Sequence, residues 1–343
     1  MKFISKAIFL AFLVFYNCGT KKENSRLNST ETDYTIAFGS CNKQDVKNEL
    51  WDDILKQNPD LWIWGGDNIY ADTDDMTVLK AEYTKQLNIP AYKKLVETTK
   101  ILGTWDDHDY GLNDGGLEFK MKKESQQQFL DFMGVAQNDK RRNREGVYHA
   151  EEIKIAEGTI KVIVLDTRYF RSALVKDTES RKRYKPTTDN TSTVLGETQW
   201  QWLEDELNNS KGDFNIIVGS IQFLSMEHGF ETWGNFPHEV ERLKNIISDS
   251  NAKGVLLLSG DRHISEFSKI NVDGLDYPLI DFTSSGLTHS YSSFTSESNK
   301  NRVGEVVSVK SYGLLKFNFK DHKIIMEMYA NDNEKINQLI QEY

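Results

Sequence analysis

The chain has 343 residues, enough for one large domain or two ordinary ones, and its 38% hydrophobic and 11% aromatic content suits a packed protein and excludes a mostly disordered one. A formal net charge of -10 disfavours a general polyanion binder, because nucleic acid is repelled at distance unless a local basic patch intervenes. The two cysteines, Cys18 and Cys41, offer no disulfide framework and need separate explanations.

At the N-terminus, Lys2 and Lys6 flank the start of an apolar run from Ala7 to Phe15, followed by Cys18 and a polar stretch to Asp33. This is the layout of a secretory signal, and it is too short for a transmembrane helix. It resembles a bacterial lipoprotein signal, in which the cysteine becomes the lipidated first residue of the mature chain. The expectation is a signal over residues 1–18, a linker over 19–33 and one domain over 34–343. The protein would then be exported to the periplasm or cell envelope and tethered to a membrane at Cys18.

From Thr35 onward, short apolar runs alternate with helical patterns. Strands are expected at Thr35 to Phe38, Leu61 to Trp64, Lys100 to Thr104, Ile160 to Leu165, Asn215 to Val218 and Gly254 to Leu258, several of them too continuously apolar to face water. Helices are expected at Val46 to Gln57, Thr77 to Gln86, Glu118 to Met133, Glu197 to Asn208 and His238 to Ile247. The polar segment Arg171 to Val194 reads as a long loop, and His289 to Asn301 as another irregular stretch. After Asp281 the pattern becomes a β-hairpin, Tyr312 to Phe319 and Lys323 to Tyr329 joined by Lys320 to His322. The order is that of an α/β protein.

In α/β sheets, reactive groups collect beyond the carboxyl ends of strands. Here those positions carry Ser40-Cys41-Asn42, then Gly66-Asp67-Asn68-Ile69-Tyr70, then Trp105-Asp106-Asp107-His108-Asp109. Further along come Asp166-Thr167-Arg168, Gly219-Ser220-Ile221-Gln222 and Ser259-Gly260-Asp261-Arg262-His263. Carboxylates gathered in one crevice repel one another unless cations or protons neutralise them, so metal is the simplest explanation. Oxygen donors with a single His suit calcium, magnesium, manganese or iron better than a structural zinc. A phosphate ester is the natural substrate for such a crevice.

The blocks Gly66-Asp67-x-x-Tyr70, Trp105-Asp106-Asp107-His108-Asp109, Leu165-Asp166-Thr167-Arg168 and Ser259-Gly260-Asp261-Arg262-His263 resemble the signature of the PhoD-type alkaline phosphatases, an arm of the calcineurin-like metallophosphoesterases. The resemblance runs from Thr35 to Gly286, in the family's order. It implies a four-layer α/β/β/α sandwich with metals at one end. It also implies that Cys41, Asp67 and Tyr70 hold a ferric ion, with Asp67 bridging and calcium ions beside it. Asp107, Asp261 and His263 would complete the metal set, and His108 would take the place of the histidine that acts on the transition state. The substrate implied is a phosphorylated small molecule or lipid.

Each residue also has a plainer reading. Cys41 alone fits a buried small hydrophobe, Asp67 a helix cap and Tyr70 a core aromatic. Arg168 fits two roles equally, pairing with Asp166 or clamping a phosphate. Gln222 is expected in structural hydrogen bonds, His228, His238 and His289 at the surface or behind the site, and Asn113 and Asp114 in a turn. Asp72, Asp74 and Asp75 read as solvated loop or helix start, outside the site. Other functions stay open: a catalytically silent surface-binding protein on the same fold, a phospholipase D-like activity, and a nuclease using the Arg181 to Lys185 run.

Overall fold

Residues 32–343 are described by the computed structural model, so the signal, Cys18 and most of the expected linker lie outside the described residues. In chain order the strands are β1 (Tyr34–Gly39), β2 (Leu61–Gly65), β3 (Lys100–Thr104), β4 (His149–Lys154), β5 (Thr159–Val164), β6 (Val175–Lys176), β7 (Tyr184–Lys185), β8 (Phe214–Val218), β9 (Val255–Ser259), β10 (Ser265–Ile270), β11 (Leu279–Ser284), β12 (Arg302–Val307), β13 (Tyr312–Asn318), β14 (Lys323–Tyr329) and β15 (Lys335–Glu342). The helices are α1 (Leu50–Lys56), α2 (Met76–Leu87), α3 (Pro90–Thr98), α4 (Asp107–Tyr110), α5 (Lys122–Phe132), α6 (Gly196–Asn208) and α7 (Pro237–Asp249).

The large strands form two mixed sheets, ordered β15-β14-β13-β1-β2-β3 and β12-β10-β11-β9-β8-β5-β4. In the first, β1, β2 and β3 are parallel. In the second, β5, β8, β9 and β11 are parallel. Period-two alternation then decides which side chains face which layer. Along β2, Leu61 and Ile63 point into a core shared with Val162, Ile216 and Leu258 of the other sheet. Their neighbours Trp62 and Trp64 pack instead with Leu50, Trp51 and Ile54 of α1 and Phe129 of α5. On the far side, Ile163, Ile217 and Leu257 meet Trp200 and Leu203 of α6 and Val240 and Leu243 of α7. The three buried layers define the expected four-layer sandwich, and both sheets are covered on both faces, which is why their strands read as unbroken apolar runs.

The differences from expectation are local. The first helix starts at Leu50, not Val46, because Asn48 Oδ1 accepts the Leu50 N–H at 2.9 Å and opens the helix there. The short helix α3 was not foreseen, although Pro90 sits at its first turn, where a missing N–H does no harm. The closing hairpin is a three-stranded meander, since β15 pairs antiparallel with β14. Its polar residues alternate with Ile336, Leu339 and Ile340 too irregularly to announce a strand. The expected loop Arg171 to Val194 is irregular apart from the small β6–β7 ladder.

Candidate metal centre

Five strand-end loops, those after β1, β2, β3, β8 and β9, meet almost backbone to backbone. Gly66 has φ +93°, and a Cβ there would lie 2.6 Å from Asp106 Cβ and 2.8 Å from Ser220 Cβ. A Cβ on Gly260 would lie 2.5 Å from both Gly65 O and Ser40 Oγ. Only glycine permits this approach. The side chains that follow are held in the left-handed region, at φ 59° for Cys41, 49° for Asp67, 69° for Asp261 and 54° for His263. For non-glycine residues that conformation costs about 1–3 kcal/mol each, and it concentrates at functional sites.

The strain aims the donors at one another. Cys41, Asp67 and His263 place ligand atoms within 4.8 Å of each other, as do Asp67, Asp107 and His108, and as do Asp67, Asp106, Asp107 and Asp261. Asp67 belongs to every group. Its Oδ2 lies 3.4 Å from Cys41 Sγ and accepts the Tyr70 hydroxyl at 3.0 Å. Tyr70 OH is also 3.1 Å from His263 Nε2. The structure thus sorts the donors into a softer set, Cys41, Asp67, Tyr70 and His263, and a carboxylate set, Asp67, Asp106, Asp107 and Asp261. His263 falls with the thiol and the phenol, and Asp261 with the carboxylates.

The electrostatics show charge that the protein does not balance itself. Burial, then Cys41 and Asp107, raise Asp67 well above the usual carboxylate range. Burial, then Asp106 and Asp107, do the same to Asp261. Burial raises Asp106 against the pull of Arg168. Asp107 is the exception: burial pushes it up, but Arg168, His108 and hydrogen bonds from Asp114 and Asn113 outweigh that and hold it low. Those donors, Asn113 Nδ2 and Asp114 N, stand 2.7 and 2.6 Å from Asp107 Oδ2, which makes the expected turn a ligand support. Burial lifts the Cys41 thiol to about 12 and the Tyr70 phenol well above its ordinary value.

His108 stacks on Tyr70, ring centroids 4.2 Å apart, and its Nδ1 lies 2.8 Å from Asp72. Burial lowers its pKa, but Asp67, the Asp72 hydrogen bond and Asp107 outweigh burial and raise it to about 10. Asp72 therefore belongs to the site, contrary to the sequence reading. Asp75 is a helix start as expected, its side chain accepting the Thr77 N–H at 2.8 Å. Asp106 was also missed as a donor: it stood in the quoted block, but alternation cannot say which of two adjacent loop carboxylates turns inward. His289 is half-buried rather than superficial, with its ring 4.4 Å from that of His263 and 5.1 Å from that of Tyr70. Ser285 adds a hydroxyl 3.0 Å from Cys41 Sγ. His238 contacts Ser192 O at 2.7 Å, and His228 accepts the Phe230 N–H at 3.1 Å, both away from the ligands. Gln222 donates to Glu266 and Thr283, the structural role expected of it.

Arg168 requires a correction. Its side chain is fully buried, and its guanidinium lies 2.5 Å from Asp106 and 2.7 Å from Glu231. Asp166 accepts only its backbone N–H. A fully buried arginine shared between two carboxylates is placed to hold Asp106 rather than to meet a substrate phosphate, which fits neither the pairing with Asp166 nor the clamp expected from the sequence. Arg168→Met should destabilise the fold by about 3–5 kcal/mol, because it strands buried Asp106 and takes from Glu231 one of its two arginines. Chemical denaturation checks this; unchanged stability with lost turnover would restore the clamp role.

A family model described as PhoD-like phosphatase matches residues 79–333. Alkaline phosphatase D of Bacillus subtilis is 32% identical over 122 residues, which are 32% of this chain and 20% of that protein, so the match spans a fifth of the relative's length. Among solved structures, one described as the structure of PhoD superposes with a TM-score of 0.71 at 18% identity, covering 90% of this chain and 72% of its own. A dimetal phosphatase from Danio rerio gives 0.54 at 11% identity, covering 91% and 100%. GAP50, described as the anchor in the inner membrane complex of Plasmodium, gives 0.55 at 13% identity, covering 91% and 89%. At these identities the structural likenesses establish the fold.

Proposed function

Because the chain belongs to the PhoD-like phosphatase family, we propose that it hydrolyses phosphate monoesters or diesters with cations held in the carboxylate crevice. The observation that carries this reading is the place of Asp67 in all three donor groups, as a residue shared between two cations would have to be. The donor chemistry fits. Cys41, Asp67, Tyr70 and His263 suit a ferric ion, and Asp67, Asp106, Asp107 and Asp261 suit calcium or another hard cation. Bound there, the cations supply polarisation of the phosphoryl oxygens and acidify the attacking water.

The chain's own residues divide the remaining work. Asp72 fixes the His108 ring through Nδ1, leaving Nε2 to deliver a proton to the leaving oxygen or to stabilise charge on the phosphoryl group. Asn113 and Asp114 hold Asp107, and Arg168 holds Asp106. A silent binding protein on this fold is disfavoured because every donor of the site is present. Of the four cations in the run a nuclease would use, two are ion-paired, Arg183 with Asp114 and Lys185 with Glu179, which weakens that reading.

His108→Ala should leave the protein folded and metal-loaded while lowering turnover about 10²-fold or more on a monoester and a diester. Asp67→Asn should instead lose metal, read by elemental analysis. Near-normal turnover of His108→Ala on both esters would remove the histidine from the mechanism. Iron at the softer set should colour the protein, because a thiolate and a phenolate are both electron-rich donors deprotonated by a highly charged cation. Tyr70→Phe and Cys41→Ser should each shift or bleach that visible band. A colourless, fully active protein containing only zinc or magnesium would refute the iron assignment without touching the phosphoesterase reading. Residues 1–18 act as an export signal in this proposal, with Cys18 lipidated to anchor the domain at the cell envelope. Fatty-acid labelling should disappear in Cys18→Ala, and labelling that survives would rule the anchor out.

A further inference from the structure

Away from the crevice, a cavity of about 330 Å³ lies between β4 and α6, lined by Lys140, Arg141, Arg144, Tyr148, His149 and Trp202 among others. The acidic residues in its wall are already engaged. Asp139 pairs with Arg141 at 2.9 Å, Glu206 with Lys161 at 2.7 Å, and Glu151 with Lys100. Lys140 and Arg144 have no carboxylate partner among the described residues. The Arg144 guanidinium lies over the Tyr148 ring, 3.5 Å from its centroid, and donates through one nitrogen to Tyr148 O. Its other terminal nitrogen is buried with no hydrogen-bond partner among the described residues. A buried donor left unpaired costs about 1–3 kcal/mol, so something is expected to meet it.

The surroundings are held in place. Gln126 Nε2 donates to Arg141 O at 2.7 Å and Arg144 O at 2.8 Å, and Val147 N donates to Asp166 Oδ2 at 2.9 Å. The lining carries three carboxylates and three cations, Lys140, Arg141 and Arg144, and of those cations only Arg141 is ion-paired. Burial, then Arg141, lower His149 to about 4, so its ring stays neutral and adds no charge. Burial likewise depresses Arg144, against the pull of Tyr148 and of Asp166, with which Arg144 forms no ion pair.

The geometry points to a second anion site here: the cavity takes the phosphate group of a phosphomonoester, with room for the organic part against Trp202. Lys140 and Arg144 are the two cations of the lining without an ion pair among the described residues, and a phosphomonoester near neutral pH carries about 1.5 to 2 negative charges on three acceptor oxygens. A carboxylate has one charge and two oxygens and would leave one of the two cations unmatched. The site is separate from the proposed catalytic crevice and does not depend on what is hydrolysed there.

Calorimetric titration of the metal-loaded, full-length protein with inorganic phosphate tests the inference. Wild type should show a binding event that Arg144→Gln abolishes and that Lys140→Gln, at an exposed side chain the fold does not need, weakens about tenfold. Phosphate binding at the crevice should persist in both variants. Because Lys140→Gln cannot compromise folding, the test stands even if Arg144→Gln misfolds. Phosphate binding unchanged by Lys140→Gln overturns the site, and so does acetate binding as tightly as phosphate.

Discussion

Asp67, Asp106, Asp107 and Asp261 bring carboxylate oxygens within 4.8 Å of one another in a buried crevice, and the surrounding structure is arranged around that concentration of negative charge. Water cannot screen it, so the charge must be met by protons, by the protein's own cations or by bound ones. The protein's cations are few. Arg168 is divided between Asp106 and Glu231, Arg171 is spent on Glu231, and Arg262 faces Glu297. What remains shows in the titration pattern: Asp107, nearest to compensation, is held low, while Asp67 and Asp261 are driven far up. Carboxylates driven up in this way form the kind of cluster whose deprotonated state a bound cation would stabilise, as the proposed function requires.

The same constraint explains the backbone. Parallel strands deliver their loops to one edge of the sandwich, but extended backbone alone would leave the donors splayed. The left-handed turns at Cys41, Asp67, Asp261 and His263 fold them inward, and the glycines beside them allow the loops to touch. What keeps these turns in place is the covering on both faces of each sheet. The tryptophans of β2 are locked against α1 and α5, while Ile63 on the same strand is locked against the other sheet. A strand fixed on both sides can carry a strained loop at its end without relaxing.

Much of this was legible in the sequence, for identifiable reasons. Strands buried on both faces leave continuous apolar runs such as Leu61 to Trp64, and the donors follow those runs directly, so chain order alone brought Cys41, Asp67, Tyr70, Asp107, His108, Asp261 and His263 to one edge. What failed to show was pairing across space. Asp72 looked like solvated loop because nothing local announces that His108, 36 residues on, will meet it. Arg168 and Glu231 are 63 residues apart, and without Glu231 in view a buried arginine after a strand reads as well for a phosphate clamp as for a structural pair. The division of the donors into two sets hinges on which way His263 turns relative to Asp261, a matter of two left-handed residues that composition cannot reveal.

The two irregular segments that border the crevice bear on the ligands as well as on its mouth. The segment Arg171 to Val194 attaches through Arg183 and Tyr184 to Asp114, whose backbone N–H holds Asp107. The segment His289 to Asn301 attaches through Glu297 to Arg262, which lies between Asp261 and His263, and through the Tyr291 N–H to His263 O at 2.7 Å. Each is therefore one residue removed from a donor of the metal centre. A change in either segment bears on the support of Asp107 or His263. Loops of a mature site are usually free to vary because a rigid scaffold stands between them and the chemistry. Here that separation is missing at both segments, which touch the supports of candidate donors directly. The remaining donors, Cys41, Asp67 and Asp106, rest on the sheets and on Arg168, and it is that half of the centre that can stay constant while the loops diverge.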